Sequence, residues 1–216
     1  MIRKLLLTLF LFLQIYSAAN AEKLYPVDEA AKDASFKKFR EKLILAVKKE
    51  DINFVISILD EKIVNSFGGN DGIQGFKEHW SLASKDTELW ETLYNALSMG
   101  GSFDVFENEK TFCAPYVFSA WPKNYEAFDY VAVTGKNVKV REKASIDGKV
   151  LEYLSYEVVK KDPDAENSAG EWIKVTTSSG KTGYVSEKFV RSPIDYRACF
   201  KKVKGQWRMT VFVAGD

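Results

Sequence analysis

The sequence predicts an α+β fold in which helices and an antiparallel sheet come first and a strand-rich segment follows. In the first 100 residues, several segments have apolar side chains every three or four positions, the spacing of an amphipathic helix. After residue 130, apolar side chains alternate over short segments that turns separate, which is typical of strands. Aromatic residues make up 14% of the chain, which is ample for a buried core.

The first 21 residues have the three parts of a cleavable secretory signal. Arg3 and Lys4 supply a positive start, an apolar run extends from Leu5 to Leu13, and small residues lead to Ala21. The apolar run is shorter than the roughly 20 residues that span a bilayer. We therefore expect a signal peptide at 1–21, no membrane anchor after its removal, and a periplasmic or secreted mature protein.

The segment that follows the signal predicts helices and then strands. Residues 22–33 are polar and are expected to form a loose leader. The first helix is predicted to be capped by Ser35, because Phe36, Phe39 and Leu43 recur along one face. Further along we expect short helices at 52–59 and 75–80, a helix at 87–98, and strands at 102–106 and 111–118. Residues 62–67 are expected to form either a strand or an extended exit from the second helix.

The last 22 residues predict a β-hairpin with one aromatic-rich face. Its strands are expected at 195–200 and 206–213, with Trp207, Met209, Val211 and Val213 together on that face. An isolated hairpin is at best marginally stable in water, so it needs a sheet on which to lie. We expect it to return to the strands at 102–118.

Residues 133–191 contain a distinctive order of short strands and turns. It begins with Val138-Lys139-Val140-Arg141, continues through Trp172-Ile173-Lys174-Val175 and ends with Gly183-Tyr184-Val185. This order resembles the bacterial SH3 family. The resemblance implies a small β-barrel at 129–193 that binds peptidoglycan or an envelope protein without catalysing a reaction. The α+β domain would then comprise 22–128 and be completed by 194–216.

The SH3 resemblance also implies where a ligand binds. Exposed aromatic and polar side chains in the loops of a barrel are the candidates, namely Asn137, Arg141, Tyr156, Trp172, Lys181 and Tyr184. Trp172 and Tyr184 have an alternative role in packing the barrel, and Arg141 has an alternative role as a solvated surface residue.

The first domain allows a different function. Helices followed by a small sheet and a final Trp-containing strand also resemble the nuclear-transport-factor-like cone fold. That resemblance implies a pocket for a small apolar ligand, lined by Phe76, Trp80, Trp90, Phe103 and Tyr116.

Cys113 and Cys199 are the only two cysteines, and an exported chain can keep them oxidised. They form either a disulfide or two separately buried thiols. A Cys-His cell-wall hydrolase would instead use Cys113 with His79, the sole histidine. The sequence argues against that enzyme, because Cys113 does not precede a predicted helix and a second cysteine can oxidise it.

Composition excludes several other classes of function. The chain has 31 basic and 30 acidic residues, so nucleic acid is not an expected partner. One histidine and two separated cysteines predict no metal site, and no motif predicts a cofactor. The charges are uneven, because residues 22–130 carry 13 basic and 19 acidic side chains and residues 131–216 carry 16 and 11. The basic part is suited to an anionic polymer such as the cell wall.

Overall fold

The computed structural model describes residues 21–84, 86–106, 108–163 and 171–215. The predicted signal peptide lies outside this part of the chain, except for Ala21. Within the described residues, no helix combines the length and apolar character needed to cross a membrane.

Short helices and two sheets confirm the α+β class. The α-helices are α1 (Ala34–Lys48), α2 (Ile52–Ser57), α3 (Gly72–His79), α4 (Leu89–Ser98) and α5 (Tyr116–Ser119). The strands are β1 (Leu59–Val64), β2 (Ser102–Phe106), β3 (Glu109–Ala114), β4 (Tyr130–Val133), β5 (Val138–Arg141), β6 (Val150–Leu154), β7 (Val158–Lys161), β8 (Trp172–Thr176), β9 (Thr182–Ser186), β10 (Val190–Arg191), β11 (Arg197–Val203) and β12 (Gln206–Val213).

Helix α1 is capped by Asp33, so the predicted cap at Ser35 was wrong by two residues. A carboxylate oxygen of Asp33 accepts hydrogen bonds from the backbone N–H groups of Ser35 and Phe36, at 3.0 and 3.1 Å. The Ser35 hydroxyl also donates to this carboxylate, and these hydrogen bonds lower the pKa of Asp33. The Ser35 hydroxyl accepts in turn from the indole N–H of Trp207 at 3.0 Å, which ties α1 to β12.

The C-terminal hairpin lies inside the first sheet, whose strand order is β1-β12-β11-β3-β2. β11 pairs antiparallel with both β12 and β3, and β12 pairs parallel with β1. The expected pairing of the hairpin with the strands at 102–118 is therefore observed. β1 spans Leu59–Val64, which is earlier than the predicted strand at 62–67.

A β-bulge in β12 corrects the predicted face of the hairpin. Cys199 pairs with Val211 and Phe200 pairs with Met209, so Thr210 is an extra residue on β12. Because one extra residue reverses the alternation of side chains, Phe212 enters the core in place of Val211. Val211 and Val213 consequently lie on the opposite face of the sheet.

Aromatic side chains fill the space between the helices and the first sheet. The ring of Phe36 on α1 is fully buried, with its centroid 4.3 Å from that of Phe112 on β3 and 4.8 Å from that of Trp207 on β12. Helices α1 to α4 all contribute buried residues to this core. The core is therefore shared by the first helix, the middle strands and the last strand.

The second sheet is antiparallel and has the strand order β10-β4-β7-β8-β9-β5-β6. Its core consists of Val131, Val133, Val138, Val140, Leu154, Val159, Val175 and Val185. Among the described residues, no ladder joins the edge strands β10 and β6, so the closed barrel predicted for this segment is not confirmed.

A third apolar cluster joins the two sheets. Tyr116 on α5 packs there with Leu24, Ala132 and Val158, and burial raises the pKa of Tyr116 to about 12. The Leu24 N–H donates to the Tyr156 carbonyl at 2.7 Å. The first described residues after Ala21 are thus fixed against the second sheet and are not the loose leader that their polarity predicted.

Candidate ligand-binding groove

A groove of about 330 Å³ lies on the second sheet. Its lining comes from the β4–β5 turn, β5 and the loop after it, the start of β8, the end of β9 and the short 3-10 helix Glu187–Phe189. The lining residues are Lys136, Asn137, Val138, Lys139, Arg141, Ile146, Trp172, Ser186, Lys188 and Phe189.

Sheet register brings three of the six predicted ligand-binding residues together in this groove. β9 lies between β5 and β8 in the strand order. Arg141 on β5 pairs with Tyr184 on β9, and Trp172 on β8 pairs with Ser186, two residues further along β9. Arg141 and Trp172 therefore flank the end of β9, and Asn137 approaches from the turn before β5.

Asn137 lies in a turn whose backbone is held in place. Its φ of 53° is in the left-handed region, which asparagine tolerates better than most residues. The Asn137 N–H donates to the Ser155 hydroxyl at 3.0 Å, although 18 positions separate the two residues. This bond fixes the position from which Lys136 and Asn137 face the groove.

Arg141 is positioned by a hydrogen bond across the loop between β5 and β6. One of its guanidinium nitrogens donates to the Gly148 carbonyl at 2.7 Å, and the side chain is half-buried. Guanidinium carries five N–H donors in a rigid fork that matches a carboxylate. Because one nitrogen is anchored, the orientation of the fork at the groove is set by the protein.

The described lining of the groove is positively charged. Lys136, Lys139, Arg141 and Lys188 contribute four cations, and no carboxylate is among the described lining residues. The Lys188 ammonium lies 4.9 Å from the centroid of the Phe189 ring. A concave surface lined by charges of one sign concentrates its field, so this groove attracts anionic groups.

The other three predicted residues lie elsewhere on the second sheet. Tyr156 has a φ of 59°, and its ring lies 5.5 Å from that of Tyr25, which precedes the first helix. The Lys181 ammonium donates to the Leu151 carbonyl at 3.2 Å. Tyr184 is half-buried on β9, and none of the three lines the groove.

The sequence reasoning missed Ile146 and Phe189, two apolar residues of the lining. Both side chains are exposed, and Phe189 directly follows Lys188. An exposed apolar residue is informative only when it belongs to a larger patch. Only the fold shows that these two side chains lie beside Trp172 in one groove.

The cysteine and histidine of the hydrolase hypothesis are engaged in other interactions. Cys113 on β3 and Cys199 on β11 are paired residues whose sulfur atoms form a disulfide, with 4.2 Å between their Cα atoms. The His79 Nε2 atom lies 2.9 Å from the Tyr196 hydroxyl. A disulfide-bonded sulfur is not the thiolate that nucleophilic catalysis requires, so this geometry does not form a Cys-His site.

The residues expected to line a cone-fold pocket are divided between two clusters. Phe76 and Trp80 are buried in the core of the first sheet, where the Trp80 ring stacks on Phe212 with 5.2 Å between centroids. Trp90 and Phe103 pack against the same core, whereas Tyr116 belongs to the cluster that joins the sheets.

No group of three residues able to hold a metal ion occurs in the described part of the chain.

Comparisons with known proteins give no match: no family model, no curated protein and no solved structure matches this chain. The SH3-like and cone-like resemblances therefore stay predictions.

Proposed function

We propose that the chain is an exported, non-catalytic binding protein of the cell envelope. In this proposal an α+β domain of residues 22–128 and 194–216 carries an SH3-like domain of residues 129–193. The SH3-like domain binds peptidoglycan, or an envelope protein, through the cationic groove. The observation that carries the proposal is that Asn137, Arg141 and Trp172 meet three lysine side chains in one concave site.

The chemistry of the groove suits the peptide part of peptidoglycan. Stem peptides carry carboxylates, which form charge-assisted hydrogen bonds with guanidinium and ammonium groups. The half-buried indole of Trp172 offers an apolar face with a polar edge, a combination enriched where proteins bind ligands. The groove can therefore bind both the charged and the apolar parts of such a ligand.

The disulfide and the N-terminal sequence support an exported location. Disulfides persist in the periplasm and outside the cell but are rare in a reducing cytosol. The signal-like residues 1–21 supply the route out of the cytosol. A periplasmic or secreted protein is the proposal that satisfies both observations.

Retention of the full mature chain on purified, protein-free sacculi tests the proposal. We expect wild-type protein to be retained, and the double variant Lys136→Glu/Lys139→Glu to lose at least nine-tenths of that retention. The control is Lys38→Glu/Lys42→Glu, which makes the same charge change on the exposed surface of α1. Equal loss in both variants would show that net charge, and not the groove, governs retention.

Trp172→Ala provides a second test that leaves the charge unchanged. We expect a partial loss of retention with an unchanged circular dichroism spectrum. If wild-type protein is not retained on bare sacculi, peptidoglycan is not the ligand. The proposal would then require saturable binding of a purified envelope protein that the Lys136→Glu/Lys139→Glu variant abolishes.

A further inference from the structure

The outer face of the second sheet carries tyrosines and cationic side chains beside the cationic groove. Leu154 and Val185 are fully buried in the valine core. Because side chains alternate along a strand, their neighbours Tyr153 on β6 and Tyr184 on β9 point to the opposite face. Lys139, which lies between two core valines of β5, points there too. This surface, here called the tyrosine face, consists of Lys139, Arg141, Tyr153, Lys174 and Tyr184.

Each tyrosine of this face lies directly opposite a cation on a neighbouring strand. Tyr153 on β6 pairs with Lys139 on β5. Tyr184 on β9 pairs with Arg141 on one side and with Lys174 of β8 on the other. Side chains that are opposite each other on one face have Cβ atoms about 4.5 to 5.5 Å apart. Aromatic rings and positive charges therefore alternate across the four strands.

The two tyrosines have no structural partner that explains their position. In the part of the chain that the structure describes, no hydrogen bond, ion pair or ring contact engages the side chains of Tyr153, Tyr184 or Lys139. Tyr153 is 58% exposed and Tyr184 is half-buried. Tyr25, which is equally exposed, differs because its ring packs on that of Tyr156. The rings of the tyrosine face are therefore available to a ligand.

The charge of the face favours an anionic ligand. Lys174 forms an ion pair with Asp162 at 2.9 Å. Lys139 and Arg141 form no ion pair with a described residue, and the Arg141 guanidinium is held by the Gly148 carbonyl. Two uncompensated cations therefore remain on β5, between the two tyrosines, and they attract negative groups.

The separation of the rings favours a sugar chain over other anionic partners. The centre of a protein–protein interface is depleted of lysine, and a lipid chain needs a continuous apolar surface. Here a cation lies between one ring and the next. A sugar ring has an apolar C–H face that packs on a tyrosine and hydroxyl groups that bond to the phenol. A glycan that carries carboxylates thus complements both kinds of side chain.

We propose that the tyrosine face binds the glycan strand of peptidoglycan while the attached stem peptide lies in the cationic groove. Lys139 and Arg141 belong to both surfaces, so one branched ligand contacts the two together. The sugar rings pack on Tyr153 and Tyr184, and the stem carboxylates bind the cations of β5. This inference rests on the proposed function and names its ligand as a saccharide-bearing fragment, in place of a free peptide or an envelope protein.

Calorimetric titration of the full mature chain with two fragments of purified sacculi tests the proposal. The first fragment is the disaccharide-peptide that a muramidase releases, and the second is the free stem peptide that an amidase releases. We expect the disaccharide-peptide to bind wild-type protein about tenfold more tightly, because only this fragment has sugar rings to pack on tyrosine.

Matched variants locate the sugar contact. Tyr153→Thr/Tyr184→Thr keeps residues that favour strands, and it should abolish the tenfold preference while leaving the affinity for the free peptide unchanged. Phe128→Thr is the control, since Phe128 is 57% exposed and lies before β4, outside the tyrosine face. This control should keep the full preference. Unchanged binding of the free peptide shows that the double variant is folded.

The possible results separate this inference from the proposed function. Equal affinities of the two fragments for wild-type protein, or a preference that the double tyrosine variant keeps, would overturn the glycan contact and leave peptide binding by the groove intact. Failure of both fragments to bind would remove peptidoglycan as the ligand and this inference with it. Binding of a single-stranded thymidine oligomer that the double tyrosine variant abolishes, without a preference for the disaccharide-peptide, would assign the face to nucleic acid instead.

Discussion

The two sheets are built from different parts of the chain and from different side chains. The first sheet brings residues 59–64 and 102–114 together with residues 197–213, and its core is rich in large aromatic rings. The second sheet uses only residues 130–191, and its core is almost entirely valine. One sheet therefore depends on contacts between distant segments, and the other on contacts within one continuous segment.

This difference indicates how stability is distributed. In the aromatic core, each large residue makes many contacts, since a ring such as that of Phe36 contacts five other aromatic rings. The valine core is spread over many small side chains of similar size. Long-range pairing also carries a larger loop-closure cost, which the disulfide offsets by linking β3 to β11. Substitutions should accordingly have larger effects in the first sheet than in the second.

Loss of the disulfide should have the largest effect. Cys113 and Cys199 are separated by 86 positions, and the chain-entropy treatment of a loop of that length gives about 4 to 5 kcal/mol of stabilisation. We expect Cys113→Ser/Cys199→Ser to lower the free energy of unfolding by about that amount in a urea titration. A loss below about 1 kcal/mol would mean that the terminal hairpin is held in the first sheet without the crosslink.

Paired core substitutions compare the two sheets directly. Phe36→Ala should lower the free energy of unfolding by about 4 kcal/mol, because it removes a fully buried ring and leaves a cavity. Val140→Ala, also fully buried, should lower it by about 2 kcal/mol, because only two carbon atoms are lost. Equal losses of the free energy of unfolding in urea titrations would contradict the expectation that one substitution destabilises the aromatic core more than the valine core.

Removal of the cap of α1 should have a smaller effect that depends on pH. Asp33→Ala should lower the free energy of unfolding by about 1 kcal/mol at neutral pH. The pKa of Asp33 is lowered in the folded protein, chiefly by the Ser35 hydroxyl, so its charged form stabilises the fold above the unfolded pKa of about 3.9. This stabilisation is lost as the pH falls through the folded pKa.

Urea titrations between pH 2 and pH 7 measure this dependence. The difference between wild-type protein and Asp33→Ala should shrink as the pH falls below about 4. Glu126→Ala is the control, since this exposed residue caps no helix. A difference that stays constant over the whole range would mean that the charge of Asp33 does not contribute to the cap.

Charge reversal in the cationic groove should have the smallest effect on stability. Lys139 is exposed on β5, so Lys139→Glu should change the free energy of unfolding by less than about 0.5 kcal/mol. This variant should also reduce retention on sacculi. A large loss of stability would mean that the groove lysines hold the second sheet together, which would weaken the case that they serve a ligand.

The sequence predicted the elements of this protein better than it predicted their ends. The period of Phe36, Phe39 and Leu43 identified α1, but the cap was placed at Ser35 because serine and aspartate are both good caps. The strand predicted at 111–118 ends at Ala114, because Pro115 is the N-cap of α5. These boundaries depend on which of several suitable residues forms the hydrogen bonds, and local sequence does not decide that.

The candidate groove on the second sheet was less predictable from the sequence than the helices and strands were. Asn137, Arg141 and Trp172 were chosen as exposed polar and aromatic residues of predicted loops and strands, and the fold brings them together. Lys188 and Phe189 join them because the Thr134 N–H donates to the Phe189 carbonyl at 2.9 Å, which holds the 3-10 helix after β9 beside the β4–β5 turn. The β-bulge at Thr210 was not predicted either, because Val211, Phe212 and Val213 are all apolar and any of them suits the core.

The sequence by itself determined the order of helices and strands, the α+β class and the need of the last hairpin for a partner sheet, because periodicity and turn residues act over short distances. The tertiary structure decided the parallel pairing of β12 with β1, the bulge at Thr210 and the surroundings of the cationic groove. These features depend on packing between segments up to 150 residues apart, such as Leu59 and Met209, and packing over such distances is not encoded in any short stretch of the chain.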